Sequence, residues 1–469
     1  MSGDNELGPV TAGNERAVLP EQIVCDLQRV GLLNRAENGG ESGLRMVEAD
    51  LSLFLPLFHS FDIRLVPMTR DACPLYFCTG ILTFETSLVR HEKGEQASVP
   101  GGGQATTAAR AALGCLGELA ERISLWTLAE QDTRVFLKQD ILPEVELGRV
   151  LGLSSTQELS VAKRLDLTPE PSMEDRPNWN VVTNRRLKVR SLTDDKFFQL
   201  PSIGVLFHEL EREAGYSLSF ASSTGCAVWK ELAGARERAL QELAERDAVA
   251  QCWYNRLGIT EVEKGFVREI LPENLMRFLD DRKRRWGIYS VDTDLDVHVV
   301  MAVSFEDGGR RAAFGSSAGW NIVSACDSAL QELLQAENSL ELMERAHPTD
   351  KSGNPVAGME PRQLAYSRHR SILEDLPLQS APLVNEAELK KEFDFTGLLT
   401  SCIDRQIEIL EFNATRPDLG IPCIKLLSPD LCSWEPRFGK KRLYQGVVER
   451  GLRDRPATEA EFKARPFPF

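Results

Sequence analysis

Three times along the chain a glycine-bearing run of small residues opens into a long helical pattern, and this rhythm limits the fold more than any other feature. Ser98-Val-Pro-Gly-Gly-Gly103 precedes a pattern over residues 105–129, Ser222-Ser-Thr-Gly225 precedes one over about 230–256, and residues 314–319 precede one over about 323–345. Ala, Leu and Glu dominate these stretches, which favours helix. Each small-residue run reads as a loop. Between the helices, residues 75–86, 295–305, 406–413 and 421–427 have strand-like content, as does the apolar run 51–58. The fold class expected is therefore α/β, with mixed sheets and long glutamate-bearing helices.

A chain of 469 residues that is 42% apolar can bury a sizeable core, and no uninterrupted apolar run is long enough to span a bilayer. Residues 1–18 lack the basic and apolar regions of a secretory signal, which points to the cytoplasm. The ten cysteines are scattered, with no Cys-x-x-Cys pair, and read as reduced and mostly buried. The formal charge of −15 opposes phosphate backbones and suits carboxylates that hold cations, so neither nucleic acid nor membrane is an expected partner. The expected organisation is a flexible tail over 1–20, an α/β region over 21–97 and a catalytic domain over 98–469. The Pro-interrupted segment 167–195 reads as a surface connection and 347–395 as irregular.

The first helical pattern carries Glu118-Leu-Ala-Glu121-Arg122, and the second repeats the five letters at Glu242-Leu-Ala-Glu245-Arg246. Spacing of i, i+3 sets both glutamates of a pair on one helix face, where like charges repel by a few tenths of a kcal/mol unless a cation intervenes. Two such pairs suit Mg²⁺ held between helices. Because these residues are also ordinary helix formers, spacing alone leaves a solvated charged face open as the alternative.

The context of the pairs carries a resemblance. Ser222-Ser-Thr-Gly-Cys-Ala227 with Ala235, Ala239-Leu240, Glu242, Glu245-Arg246-Asp247 and Trp253 resembles the central signature of the YcaO family. Gly101-Gly-Gly103, Ala109-Arg110, Gly117-Glu118 and Glu121-Arg122 resemble its first signature, and Phe314-Gly-Ser-Ser317 with Ala329-Leu-Gln-Glu-Leu-Leu-Gln335 its third. Thr415-Arg-Pro-Asp-Leu-Gly-Ile-Pro422 and Pro429-Asp-Leu431 look like its C-terminal strand and loop, so the likeness runs over about residues 70–469.

The resemblance implies a YcaO-type ATP-binding fold that needs no P-loop, in keeping with the lack of G-x-x-x-x-G-K-[ST] here. It implies ATP and Mg²⁺ as cofactors, with Glu118, Glu121, Glu242 and Glu245 as the magnesium-binding acids and Gln335 on the nucleotide. Ser223, Thr224 and Gly225 fall in the turn expected to meet phosphate. Where the family often has a Lys and a Ser before the first helix, this chain has Gln104 and Thr107, and Ser339 stands where an arginine is expected. Trp229-Lys230 and Gly234 replace a Gly-Asn pair and an acidic residue; Lys230 is then a candidate for a displaced positive charge.

The ending Pro466-Phe-Pro-Phe469 resembles, one alternation shorter, the proline-rich tail of azoline-forming members, which makes the Phe469 carboxylate a candidate base; by composition alone it also reads as a semi-rigid tail packed on the surface. The implied activity is ATP-dependent cyclodehydration of Cys, Ser or Thr in a ribosomally made precursor peptide. A second polypeptide resembling ubiquitin-activating enzymes is expected to capture the leader, and a flavin dehydrogenase to share the complex. Thioamide or macroamidine formation, or a non-catalytic scaffold, are the competing readings. The six histidines show no ligand spacing, Cys226 reads as a packing residue, and Arg282-Lys-Arg-Arg285 and Lys440-Lys-Arg442 read as solvated basic faces.

Overall fold

A computed structural model describes residues 19–35, 44–85, 96–165, 177–209, 220–348, 360–379 and 389–468. The expected N-terminal tail falls almost wholly outside these residues, and Phe469 does too. The architecture is mixed α/β, built on a three-stranded, a five-stranded and a six-stranded sheet.

The first long helix, Ala108–Ser124, begins where the Thr107 hydroxyl accepts the Arg110 N–H at 3.3 Å. Its apolar face, with Ala112, Cys115, Leu116, Leu119 and Ile123 fully buried, lies on the antiparallel meander Asp62–Met68, Tyr76–Glu85 and Gln96–Ala105. Small residues bring helix and sheet together: a Cβ on Gly80 would stand 2.7 Å from Cys115 Sγ, and one on Gly103 would run into the Ala111 carbonyl.

The glycine run expected to be a loop is thus the third strand of the meander, with Gly102 opposite Thr79 and Gly103 opposite Cys78. Its glycines serve a close backbone approach, not a turn. The strand also straddles the boundary expected between residues 97 and 98.

The same device recurs at the third long helix, Ile322–Ala346, capped by the Asn321 side chain on the Ser324 N–H at 2.9 Å. Residues expected as a loop form the strand Ala313–Gly319, at one end of a sheet that continues through His298–Phe305, Arg285–Ser290, Ile259–Glu261 and Leu378–Gln379. A side chain on Gly315 would strike the Ala329 carbonyl and the Leu333 amide.

The second long helix, Leu232–Asn255, packs against strands of both larger sheets and is buried over most of its circumference. Its C-terminal part, residues 247–255, is buried without a break, polar Asp247, Gln251 and Asn255 included. Strands Cys226–Val228, Cys423–Leu427, Leu410–Asn413 and Arg185–Ser191 form most of the sheet on one of its sides.

Four other expectations need correction. Residues 51–58 lie in a helix, Leu51–Ser60, whose buried Leu51, Phe54, Leu55 and Phe58 follow a helical period that so short an apolar run disguises. The 167–195 segment, expected as a surface connection, contains Arg185–Ser191, a strand with Leu187 and Val189 fully buried. Residues 347–395, expected as irregular, include the helices Arg362–His369 and Ile372–Asp375. Neither basic run is solvated throughout. Arg282 and Arg284 pair with the buried Glu337, Lys440 is buried, and Arg442 grips the fully buried Asp247 at 2.7 Å.

Eight of the ten cysteines are buried and all are free thiols; Cys226 packs 3.5 Å from Cys423 Sγ, as a packing residue does. Among the described residues no helix is long and apolar enough to cross a membrane.

Candidate active site

The three long helices converge on one cavity of about 1140 Å³. Glu118 and Glu121 reach it from the first helix, Glu242 and Glu245 from the second, and Glu332 and Gln335 from the third. A strand feeding each helix supplies the opposite wall through Gly102, Cys226 and Ser316.

Each carboxylate is fixed by a donor from a neighbouring element. Glu118 accepts the Gly102 N–H at 2.6 Å and pairs with Arg122. Glu121 accepts the Val228 N–H at 3.0 Å, and Glu242 accepts the Gly225 N–H at 3.0 Å. Glu245 accepts the Ser316 hydroxyl at 2.5 Å, while Glu332 accepts the Ser316 amide at 3.3 Å. Arg246 joins the second pair, contacting Glu245 and reaching Glu242 at 3.1 Å.

These acids are crowded beyond what their partners relieve. Burial, with Glu242 and Glu118 adding repulsion, pushes Glu121 well above the carboxylate range. Burial and Glu242 likewise raise Glu245 against the pull of Arg246. Burial and the adjacent Glu245 push Glu332 up to about 8. Hard oxygen donors held in surplus negative charge are a donor set that fits a magnesium–phosphate group. Among the described residues no three acids lie close enough to enclose an ion by themselves, so phosphate and water oxygens would complete the shell.

The expected site residues divide into two groups. Glu118, Glu121, Glu242, Glu245, Ser223 and Gln335 line the cavity together. Gly225 has left-handed backbone at φ +78°, and its amide is already committed to Glu242. The 222–225 turn leads into the strand Cys226–Val228 and not directly into a helix, so it is no helix N-terminus. Thr224 lines a separate, smaller cavity, and its amide donates to Ser222 Oγ at 3.2 Å.

Thr107 caps the first helix and is not on the cavity wall, and Lys230 is likewise absent from it, its ammonium 2.9 Å from Asp50. Positive charge at the cavity comes from Arg122, Arg238 and Arg246 instead. Arg238 lies 3.2 Å from the centroid of the Trp229 ring, and Gly234 leaves the space that ring occupies. Trp229 and Gly234 are therefore one paired departure that seats Arg238.

Sequence reasoning missed Glu332, Arg238 and Trp434. Glu332 was findable, since it precedes Gln335 by three residues on the same helix face. Trp434 was not, because it arrives from a loop 188 residues beyond Arg246 in the chain (434 − 246) and meets that guanidinium only in the folded state.

No curated protein matches the chain. Among solved structures, a heterocyclase in complex with substrate and cofactor is similar at TM-score 0.69 and 21% identity, over 95% of this chain and 60% of that one. This chain therefore spans less than two thirds of that heterocyclase. The E. coli microcin synthetase McbBCD complex has a chain similar at TM-score 0.54 and 14% identity, over 87% of this chain and 96% of its own. YcaO from Methanopyrus kandleri, bound with AMPPCP and Mg²⁺, is similar at TM-score 0.51 and 14% identity, over 87% of this chain and 94% of its own. The model of the YcaO cyclodehydratases, described as ATP- and Mg²⁺-binding, matches residues 102–432, and the chain belongs to that family.

Proposed function

We propose that the chain is the cyclodehydratase subunit that converts Cys, Ser or Thr of a ribosomally made precursor peptide to thiazoline or oxazoline. The observation that carries this reading is the convergence of Glu118, Glu121, Glu242, Glu245 and Glu332 from three helices on one cavity, with Gln335 and Ser223 beside them. When bound, ATP and Mg²⁺ supply the phosphoryl group that makes the amide oxygen a leaving group and the charge that steadies its transfer.

The chain's own residues prepare that event. Glu118, Glu121, Glu242 and Glu245 hold the cation, with Glu332 as a further acid, and Gln335 and Ser223 orient the nucleotide. Arg238 and Arg246 offset negative charge at the cavity wall. The substrate's side chain attacks the preceding amide carbon, losing its proton to a base; the resulting oxyanion is phosphorylated, and phosphate then leaves as the former amide nitrogen gives up its proton and the C=N bond of the azoline forms. The Phe469 carboxylate is the proposed base. Support for it comes from Phe467, which packs against Phe314 and Trp434 of the cavity wall at centroid distances of 5.3 and 4.8 Å.

A leader-binding partner resembling ubiquitin-activating enzymes, and a flavin dehydrogenase, complete the proposed assembly; the microcin synthetase complex supports a multi-subunit arrangement. A cytoplasmic location is part of the same proposal. The test is mass spectrometry of a precursor peptide incubated with the chain, partner, ATP and Mg²⁺. Loss of one water per ring, abolished by Glu118→Gln and Glu245→Gln in folded protein, is expected. No water loss, or wild-type rates in both variants, would overturn the reading.

A further inference from the structure

The turn 222–225 presents its residues to two different spaces. Ser223 lines the carboxylate cavity, whereas Ser222 and Thr224 line a separate, smaller one together with Lys425. Lys425 comes from the strand Cys423–Leu427 and is only 2% exposed. A buried ammonium is costly unless it is paired, yet among the described residues no carboxylate forms an ion pair with this one. Its partners are two carbonyl oxygens of the turn, that of Ser222 at 2.7 Å and that of Thr224.

Those two bonds dictate where the amides of the turn point. No peptide bond among the described residues is cis, and in a planar trans peptide the C=O and the following N–H point to opposite sides. With the Thr224 carbonyl turned to Lys425, the Gly225 N–H faces away from it and meets Glu242 at 3.0 Å. By the same rule the Ser222 carbonyl turns the Ser223 N–H away from Lys425, in the residue that lines the carboxylate cavity. The turn is sewn down further by the Leu426 N–H on the Gly225 carbonyl at 2.7 Å and the Cys226 N–H on the Ser223 carbonyl at 2.9 Å.

One donor is left over. The Thr224 N–H goes to Ser222 Oγ and the Gly225 N–H to Glu242, but the Ser223 N–H has no hydrogen-bond partner among the described residues.

We propose that Lys425 is a positioning residue that aims the Ser223 N–H at an anionic phosphoryl oxygen of the nucleotide. It rests on the reading of the larger cavity as the site of ATP and Mg²⁺. Lys425 is absent from the wall of that cavity and acts through the peptide groups. Its ammonium draws the carbonyl oxygens back and polarises the N–H on the far side of the same peptide group. Positive character thereby reaches the phosphate without a cationic side chain entering the space that the glutamates share with the metal. The turn is then a reader of phosphate and not of the base.

The test is calorimetric titration of the full chain with AMPPCP and Mg²⁺ and, separately, with adenosine, which has no phosphate. In Lys425→Met, which fills similar space and removes the charge, affinity for AMPPCP and Mg²⁺ should fall about tenfold or more, the range of a hydrogen bond to a charged group, while adenosine affinity stays within about twofold. A merely structural lysine would weaken both ligands alike. A second measurement uses the wild-type chain labelled with ¹⁵N-serine, its Ser223 amide signal identified as the one lost in Ser223→Ala. That signal should move downfield with AMPPCP and Mg²⁺ and not with adenosine, which decides the matter if Lys425→Met does not fold. Equal losses for the two ligands, full retention of AMPPCP affinity in folded Lys425→Met, or a Ser223 amide unmoved by AMPPCP would overturn the proposal. A wild-type chain that binds no AMPPCP with Mg²⁺ would instead count against the nucleotide reading of the cavity, a separate result from the comparison of ligands.

Discussion

The guanidinium of Arg246 lies 3.5 Å from the centroid of the Trp434 ring while bridging Glu242 and Glu245. Trp434 in turn stacks on Phe467 with centroids 4.8 Å apart and planes 13° apart. One side chain thus offsets the charge of two crowded acids and ties them to the aromatic seat of the chain's last residues.

Removing that charge should be costly in the ligand-free protein. Arg246→Met leaves Glu245, itself only 6% exposed, without its counter-ion, and a loss of about 3 kcal/mol is expected. Added Mg²⁺ should restore part of the loss, because a second cation can take the vacated place. Urea unfolding with and without Mg²⁺ measures both; unchanged stability in Arg246→Met would deny the bridge its role.

Two adjacent glycines should behave differently. A Cβ at Gly103 meets the Ala111 carbonyl and the Cys115 amide, rigid helix backbone, so Gly103→Ala should destabilise the fold by about 2 kcal/mol or more. At Gly102 the nearest atom is the amide end of Gln335, which can swing aside. Gly102→Ala should therefore keep its melting temperature within a few degrees and lose nucleotide affinity. Thermal melts paired with nucleotide titrations separate the two outcomes.

Acid should act through Glu337. Burial alone would raise its carboxyl, but Arg282, Arg284 and Arg70, with a hydrogen bond from Ser304, outweigh burial and hold it below the usual range. The unfolded chain therefore takes up the proton first as pH falls. The stability Glu337 contributes is complete above about pH 4.3 and is lost as pH drops through the lower folded value. Glu337→Gln should cost about 3 kcal/mol at neutral pH, by leaving three half-buried arginines without their shared counter-ion, and should flatten the acid limb of a stability–pH profile. A variant with the wild-type slope would mean that other acids control that limb.

Lys440 should prove a structural staple. Its ammonium donates to the carbonyls of Arg149 at 2.8 Å, Ser428 at 2.9 Å and Pro429 at 2.8 Å, with Val150 at 3.3 Å. Lys440→Met fills similar space and orphans these acceptors, so a loss of about 2–4 kcal/mol is expected, read by denaturant unfolding. A neutral result would mean that water replaces the donors.

The long helices, the glutamate pairs at Glu118/Glu121 and Glu242/Glu245, and the family signatures were all legible in the linear chain. Helical period and i, i+3 spacing are local properties, carried by residues within a turn of one another. What only the folded chain decided is where backbone pairs and where charge is buried. The glycine runs before the first and third helices became strands because Gly102 meets Thr79 and Gly315 meets Ala302 across sheets, pairings that no local pattern announces. The basic runs became internal ties because Arg282 finds Glu337 at a separation of 55 residues and Lys440 finds Arg149 at 291. The cavity itself exists only where three helices, each brought down onto or between sheets by small residues, turn their acids toward one space. Its energetics come from that convergence, since burial and mutual repulsion act through distance in space and not along the chain.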